Sequence, residues 1–258
     1  MKHTIRRLIL LAVKPLRPLL ELVFSVEAYI AKKWVASSHN RLFLSQWGFG
    51  EPEWFDHSID LYYQWSKTGE GFWVERGVYS AIALKGGDVL ELCCGDGFNA
   101  KHFYSNLSRS VVSCDFDESA IKTAKRKNTR DNVEFILADI RKDMPKGQFQ
   151  NIVWDAAIEH FTEEEIARLL ASVKSRLTSD GILSGYTIVE KDDGVKSLHQ
   201  HEYEFQSKAD LKAFLVPHFK NVTVFETIYN TRHNLYFWAS DSVIPFSGGW
   251  QSMDTNLL

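Results

Sequence analysis

A chain of 258 residues, 45% hydrophobic and 24% charged, has the length for one domain with an extension and enough apolar material for a sizeable core. Its formal charge of −3 is the sum of two unlike parts: residues 1–33 hold seven Lys/Arg against two acids, a local +5, which leaves −8 for the remainder. An acidic body argues against a nucleic-acid substrate held on a broad basic face, and three cysteines, two of them adjacent, build no disulfide framework and point to a reducing, cytoplasmic setting.

The N-terminal segment carries Arg6, Arg7 and an apolar run from Leu8 to Val13, which fits a signal peptide, but no small-residue cleavage site follows closely. Lys14, Arg17 and Glu21 interrupt any stretch long enough to span a bilayer. From Leu19 to Ile30 apolar residues recur ahead of Lys32 and Lys33, the pattern of an amphipathic helix on an anionic membrane surface, here the inner face of the membrane. A helix docked on the domain itself, or on a second copy in a homodimer, is the alternative. Pro15 and Pro18 are expected to split the segment in two. Residues 34–72 form a second unit, rich in aromatics: Trp34, Trp47, Trp54 and Trp65 stand among phenylalanines and tyrosines. Such density suits either a seat for the extension or a lid whose rings exclude water from a ligand. Asp56, His57 and Asp60 offer polar groups there, with no spacing that assigns them a role.

A helical pattern over 73–84 leads through Lys85-Gly86-Gly87 into the stretch that organises the chain, Val89-Leu-Glu-Leu-Cys-Cys-Gly-Asp-Gly97. It reads as a strand, a tight turn and a helix, with Gly95 and Gly97 letting a ligand approach main-chain N–H groups at the positive end of the helix dipole. Gly95-x-Gly97-x-x-Ala100 also fits the dinucleotide fingerprint, with Asp115 downstream for a ribose. Charge separates the two readings. Asp96 lies where a pyrophosphate would sit, and two like charges about 4 Å apart cost roughly 4 kcal/mol at an effective dielectric near 20. S-adenosylmethionine (SAM) has no phosphate and carries a sulfonium and an ammonium, which Glu91 and Asp96 favour. The stretch resembles the Glu-Leu-x-x-Gly-x-Gly motif of class I SAM-dependent methyltransferases.

The elements that follow extend the resemblance. A second strand, Ser110 to Cys114, ends in Asp115-Phe116, with Asp117 as N-cap of a helix over 118–127; Asp115 is placed to accept both ribose hydroxyls. A third strand, Val133 to Ala138, ends in Asp139-Ile140, where the resemblance implies contact with the adenine amino group and packing on the base. A fourth, Asn151 to Trp154, leads into Asp155-Ala-Ala-Ile-Glu-His160, similar to the family's segment ending in Glu-His, and Thr162 to Glu165 reads as a capping box. Ser179-Asp180-Gly181 is expected to turn into a fifth strand, Ile182 to Ile188; a helix over 207–215 and strands over 221–226 and 233–240 follow.

Strands alternating with helices predict a doubly wound, mostly parallel α/β sheet with the ligand at the carboxyl ends of its strands. The resemblance implies seven strands with an antiparallel last one, set behind a helical N-terminal extension, and covers residues 73–240; residues 241–258 read as a loose tail. The predicted cofactor is SAM, held by Glu91, Gly95, Asp96, Gly97, Asp115, Phe116, Asp139 and Ile140. For the acceptor, His160 is the first candidate base, being an imidazole that titrates near neutrality, and Asp155 the second. His199, His201 and Tyr203, on one side if that run is extended, and Arg232 are candidate acceptor contacts. Two histidines without further ligands at a recognised spacing predict no metal site. The expected activity is methyl transfer to a small molecule or a glycan- or lipid-linked acceptor. A nicotinamide-dependent oxidoreductase on the same fold and a non-catalytic SAM-binding subunit are the rivals. A nucleic-acid acceptor is not expected, because Asp155-Ala-Ala-Ile lacks the Pro-Pro-aromatic sequence that stacks a flipped base.

Overall fold

The computed structural model describes residues 14–191 and 194–248; the readings of residues 1–13 and of 249–258 lie outside the described residues, whereas residues 241–248, read as the start of a loose tail, are held on the domain by the Lys174–Asp241 ion pair and the buried Ile244. The first helix, α1, runs without a break from Arg17 to Trp47. Pro18 does not split it, because it falls in the opening turn, where its missing N–H has no intrahelical partner to lose. The boundary drawn at residue 33 therefore falls inside a helix: nothing between Lys33 and Trp34 interrupts it. No residue of α1 is buried, and Leu19, Leu22, Phe24, Tyr29, Ile30 and Trp34 are all exposed. The apolar side chains spread around much of the helix instead of gathering in one stripe, so the amphipathic pattern expected here is weak. Among the described residues its carboxyl-terminal half packs on helix α2 (His57–Thr68), where Phe43 stacks on Tyr63 at 3.9 Å between ring centroids.

After α3 (Phe72–Ile82) the chain enters the sheet. Its strands are β1 (Gly86–Leu92), β2 (Ser108–Asp115), β3 (Val133–Leu137), β4 (Phe149–Asp155), β5 (Leu177–Ile188), β6 (Asn221–Ile228) and β7 (His233–Ser240). The order is β3-β2-β1-β4-β5-β7-β6, with the first five parallel and β7 inserted antiparallel between β5 and β6. Every expected strand is present. Several boundaries shift by one or two residues, and the largest difference is in β5: Ser179-Asp180-Gly181 belongs to the strand, and the ladder absorbs it by a register shift between Phe149↔Leu177 and Asn151↔Ile182.

Side chains alternate across β1 with the period of two, so Val89 joins one buried cluster while Leu90 and Leu92 join the other. The first cluster lies under α4 (Phe98–His102) and α5 (Glu118–Lys127) and the second under α6 (Glu163–Arg176) and α7 (Lys208–Leu215), which gives the sheet two covered faces. Both helix starts read from sequence are present. Asp117 accepts from the N–H groups of Ser119 and Ala120, and Thr162 and Glu165 bond reciprocally in a capping box.

Candidate active site

Parallel register sets the site. Leu92 pairs with Cys114, Asp115 with Leu137 and Asp155 with Tyr186, so the loops that leave β1 to β5 emerge along one edge of the sheet. They line a cavity of about 660 Å³, within the range of ligand sites, which is about 300–1,000 Å³. The aromatic segment closes one side of it through Trp47, Trp54 and Phe55. Side-chain contacts fasten that wall to the sheet domain, among them the Trp54 indole N–H donating to Ser119 Oγ at 3.0 Å, the Lys127–Asp56 pair, and His57 with Asp96 at 2.9 Å.

Glu91, Gly95, Asp115, Phe116, Asp139 and Ile140 all line this cavity. Glu91, 3% exposed, accepts from Ser113 Oγ at 2.7 Å; burial pushes its carboxyl up to about 8 against that hydrogen bond, and Asp155 and Asp96 add like charge. Asp115 is fixed by the main chain, since its two oxygens accept from Gly95 N–H and Asp117 N–H, each at 2.9 Å, and burial raises its pKa. Gly95 takes a left-handed φ of 53°, which turns the backbone over the strand end. Asp139 is held below the usual carboxylate range, at about 2, by Arg141, with Lys142 beside it. Phe116, exposed, has the Arg141 guanidinium over its ring at 5.8 Å.

Two of the expected cofactor residues stand elsewhere. Asp96 is fully buried and does not line the cavity: its oxygens accept from the N–H groups of His57 and Phe98 and meet the His57 ring, so it anchors the start of α2. Burial would raise its pKa, but His57 and these hydrogen bonds outweigh burial and lower it. Gly97 also lies outside the cavity lining. Its left-handed φ of 72° makes the turn, and an added Cβ would stand 2.4 Å from the Phe135 ring. The electrostatic case for a cationic ligand therefore rests on Glu91 and not on Asp96.

The other end of the cavity is lined by Asp155, Glu159, His160, His199, His201 and Arg232. Asp155 is committed: Ser80 Oγ donates to one oxygen at 2.9 Å, Tyr104 OH donates to the other at 2.5 Å, and burial raises its pKa to about 6. That leaves His160, half-buried, with its Nδ1 3.2 Å from the Gln200 carbonyl, as the freer basic group. The run 199–203 is not extended. A turn carries His199 and His201 to the cavity, whereas the Tyr203 hydroxyl reaches Asp210 at 3.1 Å and its ring packs on Phe205 and Phe214, so Tyr203 is not an acceptor contact. Arg232 stacks over Phe72 and Tyr186 at 5.3 and 5.8 Å and faces the cavity.

Glu159 and Arg76 also line the cavity and were not singled out from sequence, and Asp60, noted there without a role, joins them. Asp60 is 1% exposed with neither oxygen hydrogen-bonded among the described residues, and burial pushes its carboxyl up to about 6. The signal that could have found it was the His57-x-x-Asp60 pair on the wall helix. Backbone strain marks the same edge, since Cys93 and Ala156, at the ends of β1 and β4, both have left-handed φ, 56° and 52°. Eight acids and three arginines line the cavity, a net acidic lining that fits a ligand carrying a sulfonium and an ammonium.

A family model for a methyltransferase domain matches residues 89–181. No curated protein sequence matches the chain. Among solved structures, DhpI in complex with S-adenosylhomocysteine (SAH) is 25% identical at a TM-score of 0.51, covering 60% of this chain and 77% of its own. The plantazolicin methyltransferase BpumL in complex with SAH is 13% identical at 0.50, with 65% and 81% covered. A Haloferax volcanii protein in complex with the Trm112 methyltransferase activator is 10% identical at 0.55, with 67% and 91% covered. At these lower identities the likeness is one of fold.

Proposed function

The chain is a SAM-dependent methyltransferase of class I fold, and from that premise we propose that it methylates a small or lipid-linked acceptor at the Glu159–His160 end of the cavity. The observation that carries this reading is the continuity of one cavity from Glu91, Asp115 and Ile140, which would hold the cofactor, to His160, His201 and Arg232. SAM supplies an activated methyl group when bound. The chain's own part is to align the acceptor with it, exclude water with Trp47, Trp54 and Phe55, and take up the acceptor's proton. His160 is assigned the last role. Its Nδ1 faces a carbonyl, which fixes the proton there and leaves the other ring nitrogen basic. Asp155 serves as a positioning residue between Ser80 and Tyr104.

The test is methyl transfer from radiolabelled SAM to small-molecule and lipid extracts, with SAM affinity measured in parallel. His160→Ala is expected to lower turnover about 100-fold or more with SAM affinity within about twofold, the range of a lost acid–base group. Equal turnover would refute the role.

The exposed first half of α1 supports a membrane-delivered acceptor. Leu22, Phe24, Tyr29, Ile30 and Trp34 face solvent beside Lys32 and Lys33, and the same helix ends at Trp47 in the cavity wall. No helix among the described residues is long and apolar enough to cross a membrane. The protein should co-sediment with phosphatidylglycerol vesicles, and replacing Leu22, Phe24, Ile30 and Trp34 by Gln should abolish this; retention by the variant would overturn the assignment.

A further inference from the structure

Glu159, His160 and His201 converge although the last two lie 41 positions apart in the chain. Main-chain bonds bring them together: the N–H groups of Glu202 and Tyr203 donate to the Glu159 carbonyl at 2.9 and 3.1 Å. One donor atom from each of the three side chains then lies within 4.8 Å of the other two. The imidazoles stand edge to face, with ring centroids 4.8 Å apart.

The outer contacts of this cluster matter as much as the cluster itself. His201, 2% exposed, presents Nδ1 to Glu204, a carboxylate only 7% exposed that also accepts Ser197 N–H at 2.6 Å. The His160 ring presents Nδ1 to the Gln200 carbonyl at 3.2 Å. Each imidazole thus has its Nδ1 proton fixed by an acceptor behind it, and the nitrogen left for a ligand is Nε2. The Glu159 carboxylate has one oxygen accepting from Thr187 Oγ1 at 3.0 Å, which leaves the other. A carboxylate or carbonyl behind each ligating histidine, and a hydrogen bond on the ligating carboxylate, is the arrangement that orients metal ligands and raises their basicity. Two imidazoles and one carboxylate with open positions suit a first-row divalent cation such as Zn²⁺, Mn²⁺, Fe²⁺ or Co²⁺ more than Mg²⁺ or Ca²⁺, which take all-oxygen sets.

We propose that Glu159, His160 and His201 bind one divalent first-row cation at the acceptor end of the cavity, with Glu204 as the positioning residue behind His201, and that an oxygen of the acceptor completes its coordination. This deepens the methyltransferase reading and rests on it for the nature of the acceptor alone. Metal–nitrogen bonds of about 2.0–2.1 Å place tetrahedral ligands about 3.4 Å apart, so the donors close in on binding. With a cation in place His160 is a ligand and no longer the base: the acceptor's proton passes to solvent water as its oxygen coordinates the cation, and the proton-accepting role given to His160 above is that of the metal-free chain.

The test is a titration of the full chain with Co²⁺ after removal of bound metal by a chelator, read by visible absorption, with SAH binding as the independent check of the cofactor half. The expected result is about one equivalent of Co²⁺ with nitrogen- and oxygen-ligand bands, competed by Zn²⁺ and Mn²⁺. His160→Ala should abolish it with SAH binding intact, and Glu204→Gln should weaken it about 10- to 100-fold. No Co²⁺, Zn²⁺ or Mn²⁺ binding by the wild-type protein at millimolar metal, or binding that survives the His160→Ala/His201→Ala double variant, would overturn the proposal. Failure of SAH binding in the wild-type chain would instead sink the methyltransferase reading and leave the Co²⁺ result to be judged by itself.

Discussion

Asp115→Ala is expected to weaken SAM and SAH binding by about two orders of magnitude, as measured by titration calorimetry. The carboxylate closes β2 facing the cavity, and the two ribose hydroxyls it would accept are each worth roughly 1.5–3 kcal/mol as hydrogen bonds to a charged group, where 1.4 kcal/mol is tenfold. The structure adds a second effect. Asp115 also accepts from Gly95 N–H and Asp117 N–H, so the truncation leaves two main-chain donors unpaired and lowers the melting temperature as well. Asp115→Asn separates the two effects: its amide keeps a carbonyl oxygen and the side-chain shape but loses the charge, so affinity should fall with a smaller loss of stability. Unchanged affinity in both variants would remove Asp115 from the cofactor site.

The second large effect is on pH. Burial raises the Glu91 carboxyl from 4.5 to about 8, so in the ligand-free protein at neutral pH it holds its proton. A cationic ligand favours the carboxylate and expels that proton. SAM affinity should therefore rise as pH increases from 6 to 8, by up to about tenfold per unit, and flatten above 8. Calorimetry in buffers of different ionisation enthalpy should count about one proton released, and Glu91→Gln should lose both the release and the pH dependence. The sign for stability is opposite. A carboxyl whose folded pKa is raised stabilises the fold below its unfolded pKa and loses that contribution as pH climbs through the folded value. The ligand-free protein should thus melt at progressively lower temperature between pH 5 and 8. Asp155 and Asp60, both raised from 3.8 to about 6 by burial, add to the fall between about pH 4 and 6. Saturating SAM should restore part of the loss at pH 8. A melting temperature that stays level across this range would show that Glu91 is ionised throughout.

Much of the fold was legible because its signals are local. Strand ends, the Asp117 cap and the Thr162–Glu165 capping box depend on residues within a few positions of one another. The acids after β1, β2 and β3 could be placed on one edge because a parallel sheet brings all its carboxyl ends together. Pro18 was misjudged for a positional reason, since the same residue breaks a helix in its middle and opens one at its first turn.

What the sequence alone determined is the class of sheet, the cofactor that suits its acids and the edge where the ligand lies. The direction of side chains and the meeting of distant loops were decided only by the tertiary structure. Asp96 and Gly97 sit in the same turn as Gly95, yet the arrival of His57 draws Asp96 away from the cavity and Phe135 packs against Gly97. His201 comes beside Glu159 and His160, while Tyr203, two residues on, is claimed by Asp210. Periodicity records which residues share a face of one element. It carries no information about which element will supply the partner, and here two hydrogen bonds from residues 202 and 203 to the Glu159 carbonyl made that choice.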